Sequence, residues 1–358
     1  MQNSLIDFSG CEQLVNNYDG AAYKHPIRYN GEIYMLKYGE ISKPQNPDQT
    51  SYVNSPVSEF LGSHCFAALG IQTQETLLGT YNGHSVVACK DFMQHSDRTA
   101  FELVEFKRQE RSFVGWSSKL LKTPQLENIL GVFDTSPAFQ DIAQEAEERY
   151  WEMFIGDALF ANFDRHAGNW GYILNVPTNK FTQCAPVYDC GGCMTPRLNE
   201  KAMARIMSDP QELKARALMF PTACILVNGK RPTYDKFFSS PEAERCLPAI
   251  ADFVPKINLD DIFDVIERTP GISDVKREYL CKTVGSRYSS ILLPAYDRAD
   301  KTLSKVKSAS QTRDETRSNP YMSPIVQNED LIKGYSGPLP GNAFSSFRNP
   351  LPPQSYRR

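Results

Sequence analysis

Three polar residues set out the chemistry before anything else in this chain. Asp164 opens the run Asp164-Arg165-His166-Ala167-Gly168-Asn169, and Asp189 follows after what reads as one hairpin. A carboxylate such as Asp164 can accept the proton of an attacking hydroxyl. An amide oxygen and a second carboxylate, from Asn169 and Asp189, are hard ligands of the kind magnesium takes. In this order they are the minimal equipment for moving a phosphoryl group from Mg-ATP. The competing reading makes Asp164 and Asn169 ordinary loop residues that bond neighbouring backbone. The surrounding elements have to decide between the two.

Upstream, Trp151, Phe154, Ile155, Ala158 and Leu159 recur at helical spacing and lie on one face. Glu145, Glu147 and Glu148 suit the amino-terminal half of that helix. The periodicity stops at Asn162-Phe163, so the loop starts at the helix end. Downstream, 170–176 reads as a strand, Pro177–Lys180 as a turn and Phe181–Tyr188 as the returning strand, which brings Asp189 back toward Asn169. Gly191 and Gly192 are placed to let the backbone turn sharply there.

The amino-terminal third reads as a small β-rich unit. Asn30-Gly31 and Asn82-Gly83 each sit between alternating apolar runs, the strongest short signal for a hairpin. Between them a helix is delimited by Ser55 as N-cap, Pro56 at its first position and Gly70 after its end. Lys37 falls within an apolar strand and Glu59 within the first turns of that helix. Alone, Lys37 reads as solvent-facing. Paired with Glu59, it reads as a phosphate-binding cation oriented by a carboxylate. The loop Asn16–Ala22, with Gly20, Ala21 and Ala22, reads either as a cover whose N–H groups meet phosphates or as a surface turn. Cys89, Lys90 and Asp91, where an apolar strand turns polar, mark either an adenine-binding hinge or a plain strand end.

These words resemble the HipA-type bacterial serine/threonine kinases. Asp-Arg-His-x-x-Asn followed by Ala185-Pro-Val-Tyr-Asp189 carries the likeness. Tyr34-Met-Leu-Lys37, 74–81, Val86–Phe92, Asn162–His166 and Gly168–Gly171 are similar, more closely, to the cell-translocating kinase A (CtkA) branch, over about residues 5–300. The resemblance implies an α+β, two-lobed protein-kinase-like fold akin to phosphoinositide 3/4-kinases. A small β-rich lobe would span 1–93, a mainly helical catalytic lobe 94–300 and a tail 301–358. It implies ATP and Mg2+ as cofactors, a protein substrate with a Ser/Thr acceptor, and autophosphorylation. Position by position, Lys37 would contact ATP phosphates, Asp164 would be the catalytic base, and Asn169 and Asp189 would bind magnesium. His166 reads as organising the loop. One departure concerns regulation: HipA proteins carry a phosphorylatable serine in the phosphate loop, and Glu12–Ala22 contains no Ser or Thr. The HipA amino-terminal extension has no counterpart ahead of the nucleotide lobe, so an antitoxin partner stays open. A lipid or small-molecule kinase on the same fold, and a nucleotide-binding docking module, are the alternatives.

With 358 residues, 41% of them hydrophobic, and a mean hydropathy of −0.44, the chain has enough apolar material for two lobes. No membrane span or Sec-type leader is legible, so the expected place is the cytoplasm, or outside it by another route. Nine cysteines, an odd number, read as reduced thiols. Cys190-Gly-Gly-Cys193 invites a metal or redox reading, but the glycines serving a turn after Asp189 explain the spacing better. Lys107–Arg111 reads as a solvated helical face. Residues 301–358 carry nine Lys/Arg against four Asp/Glu, with seven prolines and nine serines, a composition expected to be disordered. The body is therefore negative, which argues against nucleic-acid binding by the core.

Overall fold

The computed structural model describes residues 4–15, 24–39, 43–51, 55–115 and 120–318. The Gly20–Ala22 loop therefore lies outside the described residues, as do 319–358. By contacts the chain divides into Met1–Lys307 and Ser308–Arg358.

A six-stranded sheet opens the chain. Its strands are β1 (Ile6–Asp7), β2 (Glu12–Gln13), β3 (Lys24–Tyr29), β4 (Glu32–Tyr38), β5 (Thr76–Tyr81) and β6 (His84–Lys90), in the order β1-β5-β6-β4-β3-β2. All pairs are antiparallel except β1 with β5. Both Asn-Gly pairs close hairpins as expected: Asn30 and Gly31 have φ of 50° and 83°, Asn82 and Gly83 of 49° and 76°. Two consecutive left-handed residues match the twist of the flanking strands, and Asn and Gly adopt them at least cost.

Helix α1 (Pro56–Ala68) crosses from β4 to β5. The Ser55 hydroxyl accepts from the Ser58 N–H at 3.1 Å, and Gly70 follows the helix with φ 78°. Phe60, Leu61, Cys65 and Phe66 are fully buried, because the sheet covers one side of the helix and the second lobe the other.

The second lobe carries a three-stranded antiparallel sheet, β7 (Phe101–Glu105), β8 (Gly171–Asn175) and β9 (Lys180–Cys184), in the order β7-β8-β9. The helices are α2 (Phe106–Val114), α3 (Leu126–Thr135), α4 (Ala143–Leu159), α5 (Glu200–Met207), α6 (Pro210–Met219), α7 (Tyr234–Ser239), α8 (Leu247–Phe253), α9 (Leu259–Arg268), α10 (Asp274–Arg287) and α11 (Leu293–Ser318). A π-turn over Tyr288–Leu292 joins the last two. Helix α4 is the axis of the core: Trp151, Phe154, Ile155, Ala158 and Leu159 are all buried. The last helix runs to Ser318, through the first residues of the stretch read as a disordered tail.

The returning strand is shorter than its sequence suggests. β9 ends at Cys184, and Val187 instead bridges Thr73 in parallel, its N–H donating to Gln72 O at 2.8 Å. That bridge ties the segment before Asp189 to the link between α1 and β5.

Candidate active site

The loop between α4 and β8 is built around one buried arginine. Arg165 Nε lies 3.0 Å from Asp157 Oδ2 of α4, and the two side chains are 3% and 1% exposed. Arg165 Nη1 donates to the carbonyls of Asn169 at 2.9 Å and Tyr188 at 2.6 Å. One guanidinium thus binds the end of the loop to the residue before Asp189. Burial is the largest influence and disfavours its charge, but the charge of Asp157 and the hydrogen bonds to it, with smaller contributions from its surroundings, together hold it well above the ordinary arginine value. The same Asp157 accepts from Asn162 Nδ2 at 2.7 Å, while Asn162 Oδ1 accepts from the Asp164 N–H. Neither Asp157 nor Arg165 was singled out from sequence. A lone carboxylate near the end of the apolar α4 face, seven residues before Asp164, was the available signal.

His166 caps the loop: its N–H donates to Asp164 O, and its Nδ1 accepts from the Gly168 N–H at 3.1 Å. Trp170 then anchors the loop's exit, stacked on Phe106 at 4.1 Å between ring centroids.

Lys37, Glu59 and Asp189 meet. Lys37 Nζ lies 3.2 Å from Glu59 Oε1 and 3.3 Å from Asp189 Oδ1. Burial alone would lower the Lys37 pKa, but Asp189 and Glu59 hold it well above the ordinary value; Asp189 is correspondingly held below its own, chiefly by Lys37. The inward reading of Lys37 is therefore the observed one. The sharp turn sits on Asp189 itself, whose φ is 55°, and not on Gly191 or Gly192. Gly192 serves space instead: a Cβ there would lie 2.7 Å from Asn162 Oδ1. Cys190 and Cys193 are buried free thiols packed on α1, where a Cβ at Gly62 would fall 2.6 Å from Cys190 Cβ. The spacing of that Cys pair is thus bound up with packing.

A cleft of about 1020 Å³ runs beside these residues, lined among others by Lys37, Asn169 and Asp189. Met35, Phe92, Met93, Phe101 and Leu103 give it an apolar wall that was not read from the sequence. Of the three hinge positions, Cys89 and Asp91 line the cleft and Lys90 does not. The N–H groups of Lys90 and Asp91 are already bonded to Glu75 O and Ile33 O, and the Asp91 carboxylate engages Arg98. Glu59 lies beneath Lys37 and is 3% exposed. Lys107 also lines the cleft and Glu110 is buried, so the Lys107–Arg111 cluster is not simply a solvated face. Asp164 stands apart from this wall, with Lys122 Nζ 3.2 Å from its Oδ1.

Asn169 Nδ2 donates to Asp164 O at 2.8 Å, which leaves Asn169 Oδ1 as the amide's acceptor. That oxygen and the Asp189 carboxylate form a donor set suited to magnesium, which takes one or two protein oxygens and fills its sphere with phosphate and water. Among the described residues no group of three or more His, Cys, Asp or Glu gathers as a metal cage, and none of the helices is long and apolar enough to cross a membrane.

No family model matches the chain. The serine/threonine-protein kinase CtkA of Helicobacter pylori is 34% identical over 319 residues, 88% of this chain and 93% of that protein. The crystal structure of a Helicobacter pylori proinflammatory kinase CtkA superposes with a TM-score of 0.74 at 33% identity, covering 83% of this chain and 98% of that one. The HipA–HipB–operator complex of Shewanella oneidensis gives a TM-score of 0.48 at 11% identity, over 80% and 68% of the two chains. On the extent and identity of the first match, this chain belongs to the CtkA family of serine/threonine-protein kinases.

Proposed function

We propose that the chain transfers the γ-phosphoryl group of Mg-ATP to Ser/Thr hydroxyls of proteins, its own included. The observation that carries this reading is the bridge from Lys37 to both Glu59 and Asp189 on the wall of the large cleft. It joins residues from the sheet, from α1 and from the segment after β9 at one point. A cation fixed between two carboxylates suits the α- and β-phosphates of ATP. The apolar wall offers a place for the adenine ring. Asn169 and Asp189 would hold magnesium, which when bound neutralises phosphate charge. Asp164 accepts the proton of the attacking hydroxyl. Arg165 and His166 hold the loop that carries Asp164 and Asn169, so positioning and electrostatics do most of the work. A nucleotide lobe of 1–93, a catalytic lobe of 94–300 and a tail of 301–358 are the division we assign. A role outside the producing cell is compatible with this assignment, and cell fractionation tests it.

The direct test is transfer of label from γ-labelled ATP by the purified protein, with and without magnesium, beside Asp164→Ala and Asp189→Ala. Magnesium-dependent label on protein, absent from both variants, is the expected result. Label on a lipid or small hydroxyl compound alone would replace the protein-acceptor reading. Nucleotide binding without any transfer would replace the enzyme reading with that of a docking module.

A further inference from the structure

A second cleft, of about 660 Å³, opens at Phe163, the residue before Asp164, and shares no lining residue with the first. It is rich in arginine: Arg197, Arg205, Arg216 and Arg231 line it, against Asp48 and Glu212. Arg205 is neutralised by those two carboxylates, at 2.8 and 2.5 Å. The other three have no carboxylate within ion-pair distance among the described residues. Arg197 lies over the Phe163 ring at 4.9 Å, and Arg216 over Phe220 at 5.0 Å. Arg231 donates only to uncharged acceptors, among them Ala223 O and Phe163 O. Three guanidiniums without a carboxylate partner on one concave surface suit an anionic ligand by charge complementarity.

Two further observations point to a ligand. Arg197 Nε and Thr195 Oγ1 are buried and without a hydrogen-bond partner among the described residues, although such atoms are almost always paired. Met194 and Thr195 also stand in the left-handed region, at φ 58° and 50°, an uncommon conformation for non-glycine residues and a strained one for a β-branched side chain. Backbone strain of this kind gathers at binding and switch segments. Here it lies on the chain between Asp189 and the cleft.

We propose that this cleft docks the polypeptide substrate, and that it selects acceptor hydroxyls flanked by Asp or Glu. The proposal rests on the protein-kinase reading and names the substrate class for it. An acidic stretch lying along Arg197, Arg216 and Arg231 would bring a neighbouring Ser or Thr to Phe163, and so to Asp164. The arginines contribute charge and hydrogen bonds to the peptide and take no part in the chemistry.

The test uses the full chain and three labelled peptides that differ only in the residues around one serine: acidic, neutral and basic. Fluorescence anisotropy reads binding and label transfer from ATP reads kcat/KM. The acidic peptide should bind best, and its advantage should shrink as salt screens the contact. In Arg216→Glu the ratio of acidic to basic peptide should fall about tenfold, because an attractive contact becomes a repulsive one. Arg197→Gln should move it the same way by less. A nucleotide-dependent thermal shift reports that each variant is folded. Equal use of all three peptides, or an acidic preference that survives both substitutions, would overturn the docking proposal and leave the kinase reading standing. Tight binding of the acidic peptide without phosphorylation of any hydroxyl would do the reverse.

Discussion

Replacing Arg165 by Met separates the stabilising and the positioning parts of the buried pair. At 3.0 Å, and with an effective dielectric constant of about 20, the attraction to Asp157 is about 5.5 kcal/mol. Much of that offsets the desolvation of two nearly inaccessible charges. Arg165→Met strips the buried Asp157 of its cation, so that its carboxyl, already pushed upward by burial, either stays as a stranded charge or takes up a proton, at a cost in both cases; it also removes the shared donor from Asn169 O and Tyr188 O. The expected loss is about 3–5 kcal/mol of unfolding free energy. Adding Asp157→Asn removes the stranded charge yet retains an acceptor for Asn162 Nδ2, so most of the stability should return. Phosphoryl transfer should not return with it. With the loop and the Asp189 segment no longer tied, kcat should stay about a hundredfold low in both variants. Urea unfolding followed by circular dichroism gives the stability, and label transfer gives the rate. A single variant within about 1 kcal/mol of wild type would refute the reasoning about the buried charge. A double variant with wild-type kcat would refute the positioning role.

Asp164→Asn should lower kcat by about a hundredfold or more while ATP still protects the protein in a thermal shift, as expected for loss of a general base; an unchanged rate would move the base elsewhere. The Lys37–Asp189 pair sets a pH window for stability. Asp189 has a depressed pKa when folded, so its contribution is present above the usual carboxylate range and is lost as pH falls through the folded value. Lys37 is raised, so its contribution is intact below the usual lysine range and is lost only as pH rises past the folded value. Stability profiles of wild type and Asp189→Asn should therefore converge on acidification and differ most at neutral pH, and parallel profiles down to the acid limb would contradict this. Gly192→Ala should cost about 1–3 kcal/mol in urea unfolding and slow transfer further, because its Cβ would press on Asn162 Oδ1 and Asp164 Cβ; full activity would show that the loop yields freely there.

Much of the frame was legible because it is written in local chemistry. The two Asn-Gly turns, the Ser55-Pro56 helix start and the buried face of α4 each depend on residues a few positions apart, where propensity and periodicity act directly. The order of Asp164, Asn169 and Asp189 was likewise readable as chemistry. Only the tertiary structure decided what these residues face. Lys37 and Asp189 are 152 positions apart, and the alternation along β4, by which a lone lysine reads as solvent-facing, cannot reveal a carboxylate so distant in sequence. Their contact depends on how the sheet and α1 pack on the second lobe. The inward turn of Arg165, the left-handed backbone at Asp189 and the gathering of three arginines beside Phe163 have the same origin. An arginine in a loop reads as solvated until long-range packing removes the water and puts a carboxylate and two carbonyls in its place.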